Sequence, residues 1–95
     1  MKYEDLDIKE LPIGQQVSGI YRGQKFHEVP DDDEGTIVMG RVFLEAEEGP
    51  VAVGGEAGLR AQVEALGLTD GDHIIIHRPT VDSYHVLREG AGSDT

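Results

Sequence analysis

Four histidines are the residues of this chain with the widest chemical repertoire. His73 and His77 would share one face of a strand, but about 13 Å apart at roughly 3.3 Å per residue, which is too far for one metal ion. His77 and His85 could face each other across a hairpin, yet two imidazoles are an incomplete ligand set. Ordinary surface histidines explain the pattern, so the sequence predicts no metal site and no cofactor.

Two further motifs have a chemical and a structural interpretation. The acidic run at positions 31–34 lacks calcium-loop spacing, because Gly35 stands where the pattern needs another acid, and a solvated loop over residues 27–35 is favoured. Gly54, Gly55 and Glu56 precede a predicted helix, where free amide groups could hold an anion. A glycine hinge between strand and helix is the favoured interpretation.

Enzyme signatures are missing from the sequence. It has no cysteine, no G-x-S-x-G, no phosphate-binding loop and no H-E-x-x-H. We therefore expect a protein that binds and does not catalyse.

Basic and aromatic residues give the strongest binding pattern. Proteins that bind single-stranded nucleic acid combine a basic groove with rings on which bases stack. The predicted binding residues lie on the first two predicted strands: Tyr21, Arg22, Lys25, Arg41 and Phe43. Arg78 and Arg88 fall near the end of the domain, and the acids concentrate in loops and termini. The alternative is that these are scattered exterior residues, with Phe43 in the core.

The net charge of −11 opposes strong non-specific binding to phosphate backbones. A surface adapted to high salt, or acids confined to loops, explains the same excess. The absence of cysteine fits an intracellular protein. No apolar run reaches the ~20 residues that cross a bilayer, and the N-terminus is too acidic for a secretory signal. We expect a cytoplasmic protein without membrane contact.

Short strands with one helix among them dominate the pattern. Strands are predicted at residues 15–26 (with a bulge or bend at Gly19), 36–46, 51–53, 73–78 and 84–89. Leu59, Val63 and Leu66 define one helical stripe, which Gly67 ends in a left-handed conformation. Residues 1–13 form an N-terminal arm, residues 14–89 the domain and residues 90–95 a disordered tail.

This order of elements predicts an all-β fold with one short helix. Three strands, a helix and two strands match the five-stranded OB-fold-like Greek-key barrel, with the helix between strands three and four. An SH3-like barrel is the nearest alternative, but it would have only a helical turn in that place.

Two segments resemble small phage-encoded OB-fold proteins described as single-stranded-DNA-binding or single-stranded-DNA-binding-like. These are G-Q-Q-V-S-G-I-Y-R-G-Q-K-F and V-A-V-G-G-E-A-G-L-R-A-Q-V-E-A-L-G-L-T-D-G-D-H-I-I-I, followed by Y-H-V; together they span residues 14–88. The resemblance implies single-stranded DNA as the partner, with stacking positions at Tyr21 and Phe43. The alternative function is an acidic module that binds a protein or mimics nucleic acid, whose barrel edge could also support a homo-oligomer.

Overall fold

The computed structural model describes residues 5–31, 35–81 and 83–89. The predicted tail, the first four residues of the arm and positions 32–34 of the acidic run lie outside these ranges. The chain is mostly β with one short helix, as predicted. In chain order the elements are β1 (Ile8–Glu10), β2 (Gln16–Asp31), β3 (Gly35–Ala46), β4 (Gly49–Glu56), α1 (Ala57–Leu66), β5 (His73–Thr80) and β6 (Ser83–Arg88).

All six strands belong to one curled sheet in the order β1-β4-β3-β2-β5-β6. The stretch β5-β2-β3-β4 is a Greek key, in which a fourth strand returns beside the first. β2 belongs to both halves of the sheet, because it pairs with β5 over Gln16–Ile20 and with β3 from Ile20 to Asp31. The sheet has one strand more than expected, since the arm contributes β1, which pairs in parallel with β4.

The core fills the concave side of the sheet, where α1 covers it. Its fully buried side chains are Val42, Leu44, Leu59, Ile74 and Ile76. On β3 the predicted inner set is confirmed at Val42 and Leu44. On β5, Ile74 and Ile76 point inward while Ile75 is half-buried, so this strand is buried mainly on one face.

The helix begins and ends close to its predicted limits. Leu59 and Val63 are buried, and Gly67 follows with φ 59° and ψ 47°, the left-handed conformation that the sequence predicts. The Gly67 amide donates to the Glu64 carbonyl at 3.2 Å, and Arg88 Nη2 donates to the Leu66 carbonyl at 2.8 Å. The last turn of the helix is therefore satisfied from two directions.

The prediction of a glycine hinge before the helix is wrong. Gly54 and Gly55 lie inside β4, which runs to Glu56 and passes directly into α1. Gly55 has to lack a side chain because a Cβ there would fall 2.8 Å from Leu59 Cβ. Gly54 makes room for β1, since a Cβ there would fall 2.6 Å from Ile8 Cγ2. Both glycines allow close packing and need no bound anion.

Two boundaries near the start of the sheet also differ from expectation. The register shift of β2 lies between Tyr21 and Gly23 and not at Gly19. Gly19 instead allows close approach of β3, because a Cβ would lie 2.7 Å from the Glu45 carbonyl oxygen. The loop expected at residues 27–35 is largely strand, and β2 and β3 extend together as a ribbon to the pair Asp31 and Gly35.

Among the described residues, no helix has the length and apolar character that crossing a membrane requires.

Candidate ligand face

Three of the five predicted binding residues lie on the convex side of the sheet, away from the core. Lys25 pairs directly with Arg41, and Gly23 with Phe43, so the side chains of these pairs share one face. We call this surface the outer face; it comprises Gly23, Lys25, His27, Met39, Arg41, Phe43, Ala52, Gly54 and Glu56.

Tyr21 lies on the opposite side, which corrects its predicted role as a stacking ring. It pairs with Leu44 and is only 7% exposed within the core. Its hydroxyl donates to Gln24 Oε1 at 3.2 Å, and burial raises the pKa of the phenol. Simple alternation would place Tyr21, Gly23 and Lys25 on one face, but the bulge moves Tyr21 to the other.

Phe43 belongs to the outer face but forms its floor. The side chain is 6% exposed, and a Cβ on Gly23 would lie 3.9 Å from its ring. A ring covered to this extent has no free side on which a base could stack. Phe43 is therefore a buried packing residue, which is the alternative interpretation that the sequence left open.

The other predicted arginines have partners within the fold. Arg22 Nη1 lies 3.3 Å from both carboxylate oxygens of Asp70, in an exposed contact between β2 and the loop after α1. Arg88 bonds the end of the helix and lies 3.5 Å from Asp72.

Arg78 is the one charged residue among the described buried set and is 7% exposed. Its two terminal nitrogens donate to the carbonyls of Leu11 at 2.8 Å and Val81 at 3.1 Å. Its guanidinium lies over the Tyr84 ring at 5.3 Å. Arg78 therefore fastens β5 to the segment after β1, and its predicted contact with a ligand is replaced by this structural role.

A cleft of about 410 Å³ opens beside Arg41, between β1, β3, β4 and Tyr84. Ile8 and Met39 provide exposed apolar walls, and Gly54 and Gly55 are also part of the lining. The polar lining consists of Arg41, His27, Glu10, Glu56 and Tyr84. The cleft can therefore accept a ligand with both apolar and charged parts.

Tyr84 is a neutral polar group in this lining. The pKa of its hydroxyl is raised, chiefly by burial and further by Glu56 and Glu10, while Arg78 opposes the shift. Because an unperturbed tyrosine already titrates near pH 10, the hydroxyl keeps its proton at neutral pH.

Sequence reasoning missed Ile8, His27 and Glu56 as lining residues. Their grouping depends on the parallel pairing of β1 with β4 and on the length of β2, which together bring three separate segments to one cleft. The sequence feature that could have indicated this cleft is the face of β3 on which apolar Met39 and Phe43 alternate with Arg41.

The histidine prediction is confirmed in its geometry. His77 and His85 are cross-strand partners, with ring centroids 6.3 Å apart and ring planes at 72°. Within the described part of the chain, no group of three or more histidine and acidic side chains is placed to hold a metal ion.

These features define a small, mostly β protein in which a curled Greek-key sheet carries one helix on its concave side, and in which outer-face residues of β3 and β4 line a mixed apolar and charged cleft together with β1 and the core residue Tyr84. Comparison with protein-family models, with curated proteins and with solved structures gave no match.

Proposed function

We propose that this chain is a non-enzymatic OB-like module that binds single-stranded DNA on its outer face. The observation that carries the proposal is the pairing of Lys25 directly opposite Arg41. Directly opposed positions of an antiparallel pair hold their side chains close together on one face of the sheet. Two cations so placed give a local positive charge on a chain whose net charge is −11. The phosphates of a nucleic-acid strand are attracted to such a pair of cations.

The topology supports the OB-like part of the proposal. The Greek-key order of β2 to β5, the helix between β4 and β5 and the curl of the sheet are features that an OB-fold also has. In such folds oligonucleotides bind on the face of the second and third barrel strands, which correspond here to β3 and β4. The cleft lies on these strands. The resemblance to phage proteins extends the proposal to a cytoplasmic protein of phage type.

The mode of binding differs from ring stacking. Tyr21 and Phe43 are buried, so bases would contact the apolar side chains of Ile8 and Met39 at the cleft, while phosphates contact Lys25 and Arg41. Stacking on an accessible ring contributes ~1–3 kcal/mol per base, and its absence predicts weak binding. With two phosphates neutralised, the slope of log K against log salt is about −1.4, or roughly 25-fold in affinity per tenfold change in salt.

The test is a fluorescence anisotropy titration of a labelled oligo-dT at several salt concentrations between about 20 and 200 mM, the range over which phosphate contacts weaken. We expect saturable binding that salt weakens with the slope given above. Arg41→Ala and Lys25→Ala should each lower the affinity and make the slope of log K against log salt less negative. Arg60→Ala is the matched control, because Arg60 is on α1, paired at 3.0 Å with Glu64 and away from the cleft.

Tyr21→Leu separates this mode from ring stacking, because it removes the ring on the core side of the sheet and leaves the outer face intact in a variant that circular dichroism shows to be folded. It should leave the affinity unchanged. No saturable binding at the lowest salt, or an equal loss of affinity in Arg60→Ala, would refute the proposal.

A second candidate, binding to a basic protein partner, is favoured by the exposure of Ile8 and Met39 in the cleft and of Ile37, two residues before Met39 on β3. The charge of −11 would steer a basic partner towards this protein and would oppose self-association. β1 also ends the sheet, so within the described residues its outer edge can accept an added strand. β6 is less available, because Gln62 Oε1 accepts from the Val86 amide at 3.3 Å.

This candidate predicts that Ile37→Asp and Met39→Asp abolish association with a basic partner protein, while Leu87→Asp, an exposed apolar position on β6, leaves it intact. The measurement is the yield of site-directed cross-links between β3 of each variant and the partner protein. Equal cross-linking in all three variants would exclude the surface.

A further inference from the structure

The convex surface of β5 and β6 carries an imidazole pair that the nucleic-acid proposal does not use. His77 and His85 occupy opposite positions on two adjacent strands, and Gln16 of β2 pairs with His77 from the other side. His77 is half-buried, whereas His85 and Gln16 are exposed. The core side of β5 is formed by Ile74 and Ile76, so the imidazoles point away from it.

Two imidazoles held on neighbouring strands have the donor type that zinc, nickel and copper prefer. With metal–nitrogen bonds of 2.0–2.1 Å at a tetrahedral angle, the ring centroids of two coordinating imidazoles lie roughly 5 Å apart. The observed separation is 6.3 Å, with the rings edge to face. Side-chain rotations that bring the ring centroids about 1 Å closer together give this separation.

We propose that His77 and His85 form a surface site for a divalent transition metal ion of the zinc and nickel type. The amide oxygen of Gln16 or water completes the coordination, because only two imidazoles are available. Such a site is open and exchangeable, unlike the closed four-ligand sites that stabilise folds. The net charge of −11 raises the concentration of cations at the surface and favours occupancy.

The experiment is a titration of the untagged full chain with Zn²⁺ and Ni²⁺ at pH 7.5. Calorimetry measures the affinity, and NMR of the histidine side chains identifies the ligands. We expect one site, with resonances of His77 and His85 shifting together. His77→Ala and His85→Ala should each weaken binding by about tenfold or more, which is the least that even the loss of an outer-shell partner costs at metal sites.

His73→Ala is the matched control, because His73 lies on the same strand and face but pairs with Glu89 at 3.8 Å. It should leave the affinity unchanged, and circular dichroism should show that all three variants keep the fold. Binding no tighter than that of Mg²⁺, or an equal loss of affinity in His73→Ala, would overturn the proposal. Nucleic-acid binding is measured separately, so failure of either proposal leaves the other standing.

Discussion

Replacement of Arg78 by methionine tests how much of the fold depends on one buried guanidinium. Methionine keeps a similar aliphatic length but removes the bonds to the carbonyls of Leu11 and Val81. Hydrogen bonds from a charged group contribute ~1.5–3 kcal/mol each, so the gross loss is about 3–6 kcal/mol. Part of this loss is offset, because methionine removes a buried charge whose desolvation costs free energy in the parent protein.

Two observations show that Arg78 is poorly compensated. Its Nε is buried without a hydrogen-bond partner in the described structure. Among the described residues its ion-pair partner is Glu10, whose Oε2 lies 3.9 Å from Arg78 Nη1 and which is itself exposed. We therefore expect Arg78→Met to lower the free energy of unfolding by about 2–4 kcal/mol, below the gross loss of the two bonds. At ~4–8 °C per kcal/mol for a domain of this size, Tm falls by roughly 8–30 °C.

Urea unfolding followed by circular dichroism measures this difference. Arg60→Met is the control, because its exposed i,i+4 pair with Glu64 is worth only ~0.3–0.5 kcal/mol. If Arg78→Met unfolds at the same urea concentration as the control, the relief of the buried charge balances the lost bonds, and the structural role assigned to Arg78 is refuted.

Two further predictions concern the turn and the helix end before β5. Asp72 accepts a hydrogen bond from the Thr69 amide at 2.9 Å and lies 3.5 Å from Arg88. The hydrogen bond from Thr69 chiefly, and the charge of Arg88 to a smaller extent, hold the pKa of the carboxyl below its ordinary value of 3.8. The charged form therefore stabilises the fold above about pH 3.8 and loses this effect as pH falls. Asp72→Asn should be less stable than the parent at pH 7, with a difference that shrinks near pH 3; urea midpoints at both pH values check this, and a constant difference contradicts it. Gly67→Ala should cost ~1–2 kcal/mol, because alanine is strained at φ 59°; an unchanged urea midpoint would contradict the left-handed helix end.

The sequence was informative where short-range patterns decide the structure. The stripe of Leu59 and Val63 with Gly67 behind it located the helix, and strand alternation placed Val42 and Leu44 inside. The spacing around the last hairpin placed His77 opposite His85. Each of these inferences depends on residues close in the chain, so periodicity and turn chemistry were sufficient.

The candidate site was harder to predict, because it depends on a bulge and on a distant pairing. The register shift after Tyr21 reverses the side of the sheet on which its ring lies, and only Gly23 hints at this locally. The parallel pairing of β1 depends on Ile8 fitting over Gly54, far along the chain. Arg78 and Arg88 looked like surface cations because nothing near them in sequence shows that they bond the carbonyls of Leu11 and Leu66.

The position of β2 in both halves of the sheet has a consequence for synthesis on the ribosome. Its later residues find β3 immediately after it in the chain, but Gln16 pairs with His77. At ~5–20 residues per second, the first residues of β2 stay unpaired for roughly 3–12 s before their partner is made. β2, β3 and β4 can associate during that time, whereas Ile74 and Ile76 reach the core only when β5 has emerged. A nascent chain that stops before β5 therefore presents an open sheet edge and an uncovered apolar face, the two features that chaperones and proteases recognise.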